Sequence, residues 1–181
     1  MKLHVESRGQ GPDLVLLHGW AMHGGMWGPW LDGLVGEARL HIVDLPGHGH
    51  SPWVTEASDL AGLAEVIVPL VPRGATVLGW SIGGMVALEL ARRHPGHVQA
   101  LVLVATTPKF LAGPDWEHGL GPAVLDGFAQ GLEADSRRTV QNFLALQARG
   151  DERAAATLSA LRDRIVSRGA PDPRATAAGL H

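Results

Sequence analysis

The feature that most constrains the fold of this chain is a glycine-rich turn between an apolar run and a helical pattern. Residues Gly79-Trp80-Ser81-Ile82-Gly83 match Gly-x-Ser-x-Gly, with the apolar run Ala75 to Leu78 before them and a helically spaced run, Met85 to Ala91, after them. A strand, a tight turn and a helix in this order are typical of a nucleophile elbow, which exposes a serine hydroxyl at the end of a strand. The alternative is a glycine-rich turn that contains serine by coincidence.

Ser81 is therefore the predicted nucleophile, and its surroundings suit that role. Glycines on either side leave room for a sharp backbone turn. The following helix directs its positive end at the serine, and the backbone N–H of Ile82 is placed to stabilise an oxyanion. In this architecture the loop after an earlier strand donates a second N–H. Here the apolar run Leu14 to Leu17 leads into His18-Gly19-Trp20, so we predict Trp20 as the second donor and interpret His18 as a structural loop residue.

Apolar strand patterns alternate with helical patterns from residue 13 to residue 104, which predicts an α/β fold with a mostly parallel, doubly wound sheet. The predicted strands are residues 3–6, 14–17, 40–43, 75–78 and 98–104, and the predicted helices include 26–34 and 60–67. Four consecutive apolar residues in a strand indicate burial on both faces. The carboxyl ends of the strands should meet in one crevice lined by Trp20, Asp44, Ser81 and Thr106.

The pattern changes after Lys109, which divides the chain into an α/β-hydrolase-like core over residues 1–109 and a helical region over 110–181. Three helical segments are predicted in this region, at 122–131, 135–148 and 151–168. In the second segment an apolar stripe that contains Phe143 lies opposite a stripe that contains Arg138. A helical segment inserted in an α/β core is typical of a lid over the crevice, so we expect residues 110–181 to form a lid. The alternative for each single arginine of this region is that it lies on an ordinary solvent-exposed helix face and has no binding role.

Composition and charge exclude several classes of function. The chain has 181 residues, a net charge of −3 and no cysteine. The negative charge gives no support for nucleic-acid binding, and the lack of cysteine excludes disulfides, thiolate metal sites and a cysteine nucleophile. The first residues lack the apolar core of a signal peptide, and no apolar run reaches membrane-spanning length, so we predict a cytoplasmic protein with no membrane partner. His48 and His50 share a glycine-rich loop, but no third ligand is nearby, so we predict no metal and no cofactor.

The elbow, the His18-Gly19-Trp20 loop and the run Asp44-Leu45-Pro46-Gly47-His48-Gly49-His50-Ser51 make the chain resemble the α/β-hydrolase superfamily over residues 1–108. It looks most similar to the family of pimeloyl-[acyl-carrier protein] methyl ester esterases of biotin synthesis. The motifs that carry this closer resemblance are Leu17 to Trp20, Leu78 to Gly84, Asp115-Trp116, Arg138-Thr139-Val140 and Phe143 to Gln147. The last two weigh most, because they fall in the variable lid, where chance agreement is least expected.

The resemblance implies hydrolysis of the methyl ester on a carrier-bound pimeloyl chain, by a serine carboxylesterase that leaves a free carboxylate. It implies that Trp20, Ser81 and Ile82 surround the ester and that a run of lid residues walls the acyl chain. That wall consists of Phe143, Leu144, Ala145, Leu146 and Gln147. Basic lid residues would contact the acidic acyl carrier protein, and the candidates are Arg138, Arg149 and Arg153. Asn142 stands where the family leads us to expect arginine, so we expect a weaker or differently distributed carrier contact.

The chain departs from the superfamily pattern after the lid. The superfamily order is Ser, then Asp or Glu, then His, and the last two follow further strands. Beyond the predicted strand over 98–104 the only histidines are His118 and His181, and neither follows a strand-like run. We therefore expect the chain to be the N-terminal portion of a longer hydrolase that is monomeric when complete. In such a fragment the strand over 98–104 would be left as an exposed edge.

Two other functions stay open. One is a different small hydrolase, either a general esterase or a cofactor-free haloperoxidase, against which the run Phe143 to Gln147 argues. The other is a binding module that keeps the crevice but has no base beside Ser81 and is catalytically inactive. A panel of acyl methyl esters separates the first from the esterase, and covalent labelling of Ser81 separates the second.

Overall fold

The computed structural model describes residues 2–147 and 167–179, apart from the side chains of residues 136, 137 and 147. Its strands are β1 (Val5–Arg8), β2 (Asp13–Leu17), β3 (Arg39–Val43), β4 (Ala75–Trp80) and β5 (Val98–Val104). They form one sheet in the order β1-β3-β2-β4-β5, in which β1 is antiparallel to β3 and all other neighbouring pairs are parallel. The mostly parallel sheet confirms the predicted α/β class, although β1 begins two residues later than expected.

The described α-helices are α1 (Leu60–Ile67), α2 (Ile82–Arg93), α3 (Pro122–Gln147) and α4 (Pro173–Ala178). The predicted start of α1 is confirmed, because the Asp59 carboxylate accepts a hydrogen bond from the Gly62 N–H at 2.7 Å and caps the first turn. The segment predicted as a helix over 26–34 is a 3₁₀ helix at Gly24–Gly33, interrupted at Gly28 with a φ of 62°. Shorter 3₁₀ helices lie at Thr55–Ala57 and Val68–Leu70. Across the ranges that are described, none of the helices is both long and apolar enough to cross a membrane.

Both faces of the sheet are covered, which explains the uninterrupted apolar runs of the central strands. Successive residues of a strand point to opposite faces. Val15 and Leu17 therefore pack in the cluster that contains Val86 of α2, whereas Leu16 packs in the cluster that contains Trp27 of the first 3₁₀ helix. Burial on both faces holds β2 and β4 at the centre of the sheet. The loops at their carboxyl ends are consequently held side by side.

Within the described residues, β5 is an edge strand of the sheet. Its sequence is apolar, yet Val102, Leu103 and Val104 are each 41–42% exposed. An apolar edge strand presents unpaired N–H and C=O groups and is prone to pairing with another strand. This exposure matches the expectation from the sequence for the strand over 98–104.

The helix α3 bends at Asp135, where the predicted helix over 135–148 begins. The backbone of Asp135 has φ −158° and ψ 88°, and its carboxylate accepts a hydrogen bond from the Arg138 N–H at 3.0 Å, as an N-cap does. After the bend, Val140 and Leu144 are buried whereas Arg138 is exposed, so the two stripes lie on opposite sides. The helix predicted over 151–168 lies outside the described residues, except for residues 167 and 168.

Candidate active site

Ser81 lies on the turn between β4 and α2 and has a strained backbone. Its φ is 56° and its ψ is −122°, a combination that residues other than glycine rarely adopt. The turn is tied to the end of β5: the Ser81 N–H donates to the Val104 carbonyl at 3.0 Å, and the Thr106 hydroxyl donates to the Ser81 carbonyl at 2.7 Å. Such strain costs about 1–3 kcal/mol and persists where surrounding contacts enforce it, as at many active sites. The turn has the geometry expected of a nucleophile elbow.

Close backbone packing explains the glycines of the elbow. A Cβ on Gly79 would lie 2.3 Å from the carbonyl oxygen of Gly83, and a Cβ on Gly83 would lie 2.3 Å from the carbonyl oxygen of Leu17. Both distances are far below van der Waals contact. The start of α2 therefore rests directly on the backbone of β2 and β4. This packing places the N-terminus of α2 next to the loop that follows β2.

The two backbone N–H groups that the sequence predicts as oxyanion donors, those of Ile82 and Trp20, have no backbone acceptor among the described residues. Ile82 opens α2, where the helix dipole adds positive potential. Trp20 lies in the loop after β2, and its neighbour Ala21 has a φ of 57°. Ala105, directly after β5, has a φ of 45°, so the strained positions cluster with Ser81 at the carboxyl ends of the strands.

His18 holds the loop after β2 in place. Its ring is fully buried, its Nδ1–H donates to the Gly19 carbonyl at 2.8 Å, and its Nε2 accepts a hydrogen bond from the Leu45 N–H at 2.9 Å. Burial, together with the nearby ring of His48, lowers the pKa of His18 to about 3, so the ring is neutral. Both ring nitrogens are occupied, which agrees with the structural role that the sequence favoured.

Asp44, directly after β3, organises the loops around it. Its Oδ1 accepts a hydrogen bond from the Gly24 N–H at 2.6 Å, and its Oδ2 accepts one from the His50 N–H at 2.9 Å. The Nη1 atom of Arg168 donates to both oxygens, at 3.1 and 3.0 Å. Burial alone would raise the pKa of Asp44, but the hydrogen bonds from His50 and Gly24, aided by nearby positive charge, hold that pKa below its ordinary value. Sequence reasoning placed Asp44 in the crevice but missed Arg168, because no local pattern links residues 124 positions apart.

His4, Asp44 and His50 each place one potential metal-ligand atom within 4.8 Å of the others. Each carboxylate oxygen of Asp44 already accepts two hydrogen bonds, one from a backbone N–H and one from Arg168. A cation in this cluster would meet a fixed guanidinium charge and a carboxylate whose lone pairs are occupied. The ion pair with Arg168 accounts for the buried charge of Asp44 in this cluster. The ligand atoms of the cluster do not suit a metal ion.

Three aromatic rings meet above the loop that follows β2. The ring centroids of Trp20 and Phe143 are 5.3 Å apart, those of Trp20 and Phe128 5.4 Å, and those of Phe128 and Phe143 5.7 Å, all with edge-to-face geometry. Such T-shaped contacts add to the stabilisation from burial. The helix α3 thereby brings Phe143, the first residue of the predicted acyl-chain wall, into contact with the predicted oxyanion donor Trp20.

The other residues of the predicted wall point in different directions, because consecutive residues of an α-helix are spread around its axis. Leu144 is 2% exposed and belongs to the core. Ala145 is exposed, and Leu146 is 50% exposed. The side chain of Gln147 lies outside the described set. The structure therefore directs Phe143 and Leu144, but not Ala145 and Leu146, toward the core.

Of the predicted carrier contacts, Arg138 is the one that the structure describes. Its side chain is exposed on α3, and Asn142, one turn later, is exposed as well. Arg149 and Arg153 lie outside the described residues. The exposed face of α3 that carries Arg138 is consequently open to solvent, as a docking face requires.

An apolar cavity of about 220 Å³ opens beside the elbow. Ile82 and Met85 of α2 contribute to one wall, and Phe110 and Leu111, in the loop after β5, contribute to another. Further lining residues are Leu60, Leu63, Pro108, Lys109, Ala178 and Gly179. Its lining is mostly hydrophobic, which suits an alkyl group. Nothing in the sequence marks Phe110 and Leu111 as cavity walls, because loop residues carry no periodic pattern.

Within residues 2–147 and 167–179, no histidine side chain is hydrogen-bonded to the Ser81 hydroxyl. His18 and His48 both use Nδ1 on backbone carbonyls of their own loops. The side chain of His118 is 71% exposed, and His181 lies outside the described residues. The described residues thus place no triad histidine beside Ser81.

The chain matches the model of the alpha/beta hydrolase fold family over residues 12–176. It is 43% identical to the pimeloyl-[acyl-carrier protein] methyl ester esterase of Nitrosospira multiformis and 47% identical to that of Aeromonas salmonicida. Each of these matches covers 99% of this chain and 71% of the relative. The relatives are therefore longer than this chain.

Solved structures of hydrolases share the fold. The esterase EaEST from Exiguobacterium antarcticum is similar with a TM-score of 0.83 and 24% identity, over 98% of this chain and 68% of that one. The enol-lactonase from Burkholderia xenovorans is similar with a TM-score of 0.78 and 23% identity, over the same shares of the two chains. Likeness at this level of identity establishes the fold alone, because one fold supports many reactions.

Proposed function

The chain belongs to the α/β-hydrolase fold family and, within it, to the pimeloyl-[acyl-carrier protein] methyl ester esterases, and from this premise we propose its reaction. It hydrolyses the methyl ester of a pimeloyl chain carried by acyl carrier protein, a reaction of biotin synthesis, and releases methanol. The observation that best supports the proposal is the strained Ser81 turn, which is followed directly by Ile82 at the start of α2. Among the described residues, the N–H groups of Ile82 and Trp20 have no backbone acceptor, so both can bind an oxyanion. Membership in the family confirms both resemblances seen in the sequence.

In the proposed reaction Ser81 Oγ attacks the ester carbonyl carbon and gives its proton to a general base. The carbonyl oxygen becomes an oxyanion, which accepts hydrogen bonds from the N–H groups of Ile82 and Trp20. The C–O bond to the methoxy group then breaks, methanol leaves with the proton from the base, and an acyl-enzyme remains. Water attacks the acyl-enzyme with the help of the same base, which frees the carboxylate and regenerates Ser81.

We assign the acyl chain to the apolar surfaces around the elbow. The ring cluster of Trp20, Phe128 and Phe143 offers one such surface, and the cavity of about 220 Å³ beside Ile82 offers another. An alkyl chain gains about 0.8 kcal/mol for each CH₂ group that it buries on them. In this proposal the helical region over 110–181 acts as a lid on the crevice.

Acyl carrier protein is acidic, so the partner surface should be basic and exposed. Arg138 meets both conditions among the described residues. Arg149 and Arg153 complete the proposed contact on the strength of the sequence. A cytoplasmic location likewise stays a prediction of the sequence.

A catalytically inactive binding module is the second candidate function. One observation favours it: among the residues described, no histidine is hydrogen-bonded to the Ser81 hydroxyl. A serine without a base keeps an ordinary hydroxyl pKa and is a poor nucleophile at neutral pH. Labelling with a fluorophosphonate separates the candidates, because an activated Ser81 reacts rapidly and an inactive one does not.

The decisive experiment compares Ser81→Ala with Ser7→Ala. The Ser7 hydroxyl lies 3.2 Å from His41 Nδ1, so it has a histidine partner, but Ser7 lies within β1 rather than at the start of a helix. We expect Ser81→Ala to lower kcat for the carrier-bound methyl ester by about 10⁴-fold or more, and Ser7→Ala to leave kcat unchanged. Activity of Ser81→Ala within tenfold of the unmodified protein would contradict the assignment of the nucleophile.

A further inference from the structure

The segment over residues 167–179, called the strap below, is anchored to the sheet by Arg168. Its Nη1 atom lies 3.1 and 3.0 Å from the two carboxylate oxygens of Asp44, and its Nη2 atom lies 3.3 Å from Oε2 of Glu6. The Asp44 side chain is completely buried, and the Arg168 side chain is 15% exposed. A planar guanidinium that bonds two carboxylates through two different nitrogens, one of the carboxylates being fully buried, has a defined orientation. Arg168 therefore fixes the start of the strap relative to β1 and to the end of β3.

The middle of the strap docks on the loop after β3. The Asp172 N–H donates to the Gly47 carbonyl at 2.7 Å. Gly47 has a φ of 72°, and a Cβ there would lie 2.5 Å from the Cβ of Ala175. Ala175 itself is 5% exposed. The strap is therefore in close contact with this loop at both Asp172 and Ala175, which connects the anchor at Arg168 to α4.

The far end of the strap contacts both proposed oxyanion donors. The indole Nε1–H of Trp20 donates to the carbonyl of Thr176 at 3.0 Å, in buried surroundings. A Cβ on Gly179 would lie 2.8 Å from Cδ1 of Trp20 and 3.2 Å from Cδ1 of Ile82. The side chain of Trp20 is consequently held by the strap through one hydrogen bond and one close contact.

From these contacts we propose that Arg168 is a positioning residue for the oxyanion hole, acting through the strap on Trp20. This inference rests on the proposed function, because it assigns the Trp20 N–H to the oxyanion. The backbone next to Trp20 passes through Ala21 with a positive φ, and strained backbone keeps its orientation only where neighbouring contacts enforce it. The oxyanion exists only near the transition state, so a misdirected N–H lowers kcat and leaves KM nearly unchanged.

Two variants of Arg168 and one matched control test the inference. Arg168→Met keeps the length of the side chain and removes the charge, whereas Arg168→Lys keeps the charge and removes the planar fork. The control is Arg174→Met on the same strap. Arg174 is 69% exposed, and its ion pair with Asp172 joins two residues of the strap and does not reach the sheet. The readouts are kcat and KM for the carrier-bound methyl ester, and hydrogen exchange of the Trp20 indole N–H by NMR without substrate.

We expect Arg168→Met to lower kcat by about 10- to 100-fold with KM within about threefold. We expect the same variant to speed exchange of the Trp20 indole N–H by about tenfold or more, because its hydrogen bond to the strap opens more often. Arg168→Lys should show both effects at smaller size. If Arg168→Met leaves Asp44 unpaired and does not fold, Arg168→Lys is the variant that tests the inference. Arg174→Met should match the unmodified protein in both readouts.

Indole exchange that stays within twofold in both Arg168 variants overturns the inference, as does an equal change in Arg174→Met. A loss of kcat without faster indole exchange also overturns it, since Arg168 would then act by another route. If the unmodified protein hydrolyses no ester, the proposed function fails. Faster exchange confined to the Arg168 variants would even then support the coupling of Arg168 to Trp20.

Discussion

Replacement of Gly83 by alanine should destabilise the protein, although alanine is the better helix former. Gly83 is the second residue of α2, and a Cβ there would lie 2.3 Å from the Leu17 carbonyl oxygen and 2.6 Å from that of His18. Ordinary contact begins at 3.4 Å, so α2 has to move roughly 1 Å away from β2. Overpacking costs about 1–3 kcal/mol. The upper part of that range applies here, because the opposing atoms belong to the backbone at the end of the central strand β2 and of the residue directly after it, and backbone atoms cannot change rotamer.

Gly127→Ala is the matched control for this substitution. Gly127 also lies in a helix, α3, but no atom comes within 4 Å of a Cβ placed there. The control should report helix propensity alone and stabilise the protein by up to about 1 kcal/mol. Since propensity acts in the same direction at both positions, Gly83→Ala should be less stable than Gly127→Ala by about 2–3 kcal/mol.

Urea denaturation followed by circular dichroism measures the free energy of unfolding of both variants. A displaced α2 also carries Ser81 and the Ile82 N–H away from the loop after β2, so kcat of Gly83→Ala should fall together with stability. If the two variants agree in unfolding free energy within about 0.5 kcal/mol, α2 does not rest on β2 as described and the packing argument for the elbow is refuted.

Acidification should destabilise the protein between pH 6.5 and about 3. Burial lowers the pKa of His18 from 6.5 to about 3 in the folded chain. In this pH range the unfolded chain therefore binds a proton at His18 that the folded chain does not bind. The slope is about 1.4 kcal/mol per pH unit for each such histidine. In urea denaturation at a series of pH values, His18→Asn should flatten this slope, whereas His118→Asn, at a side chain that is 71% exposed, should leave it unchanged. Arg138→Glu should raise KM for the carrier-bound ester on the order of tenfold at low salt, and less at high salt, because it repels an acidic partner. It should not affect a small free methyl ester, and equal losses on both substrates would instead indicate a folding defect.

The elements that could be predicted from the sequence are those whose causes are local. The elbow follows from glycines on both sides of Ser81, and the buried strand β2 follows from four consecutive apolar residues. Asp59 and Asp135 mark helix starts because a carboxylate accepts a backbone N–H two or three residues later, whatever the rest of the chain does. Each of these signals spans no more than a strand or a helical turn, so it can be recognised in the sequence without the tertiary structure.

The contacts that join distant segments had no such signal. Arg168 and Asp44 are 124 residues apart, and Trp20 and Thr176 are 156 residues apart. Periodicity shows which face of an element is buried but not which segment covers it, and a solvated arginine has the same local pattern as one that neutralises a buried carboxylate. The pairing arises because parallel strands bring their carboxyl-end loops to one edge, where a buried Asp44 requires a countercharge. The sequence by itself therefore determined the fold class and the position of the proposed nucleophile. Only the tertiary structure decided which distant charge neutralises Asp44 and which distant carbonyl accepts the Trp20 indole N–H.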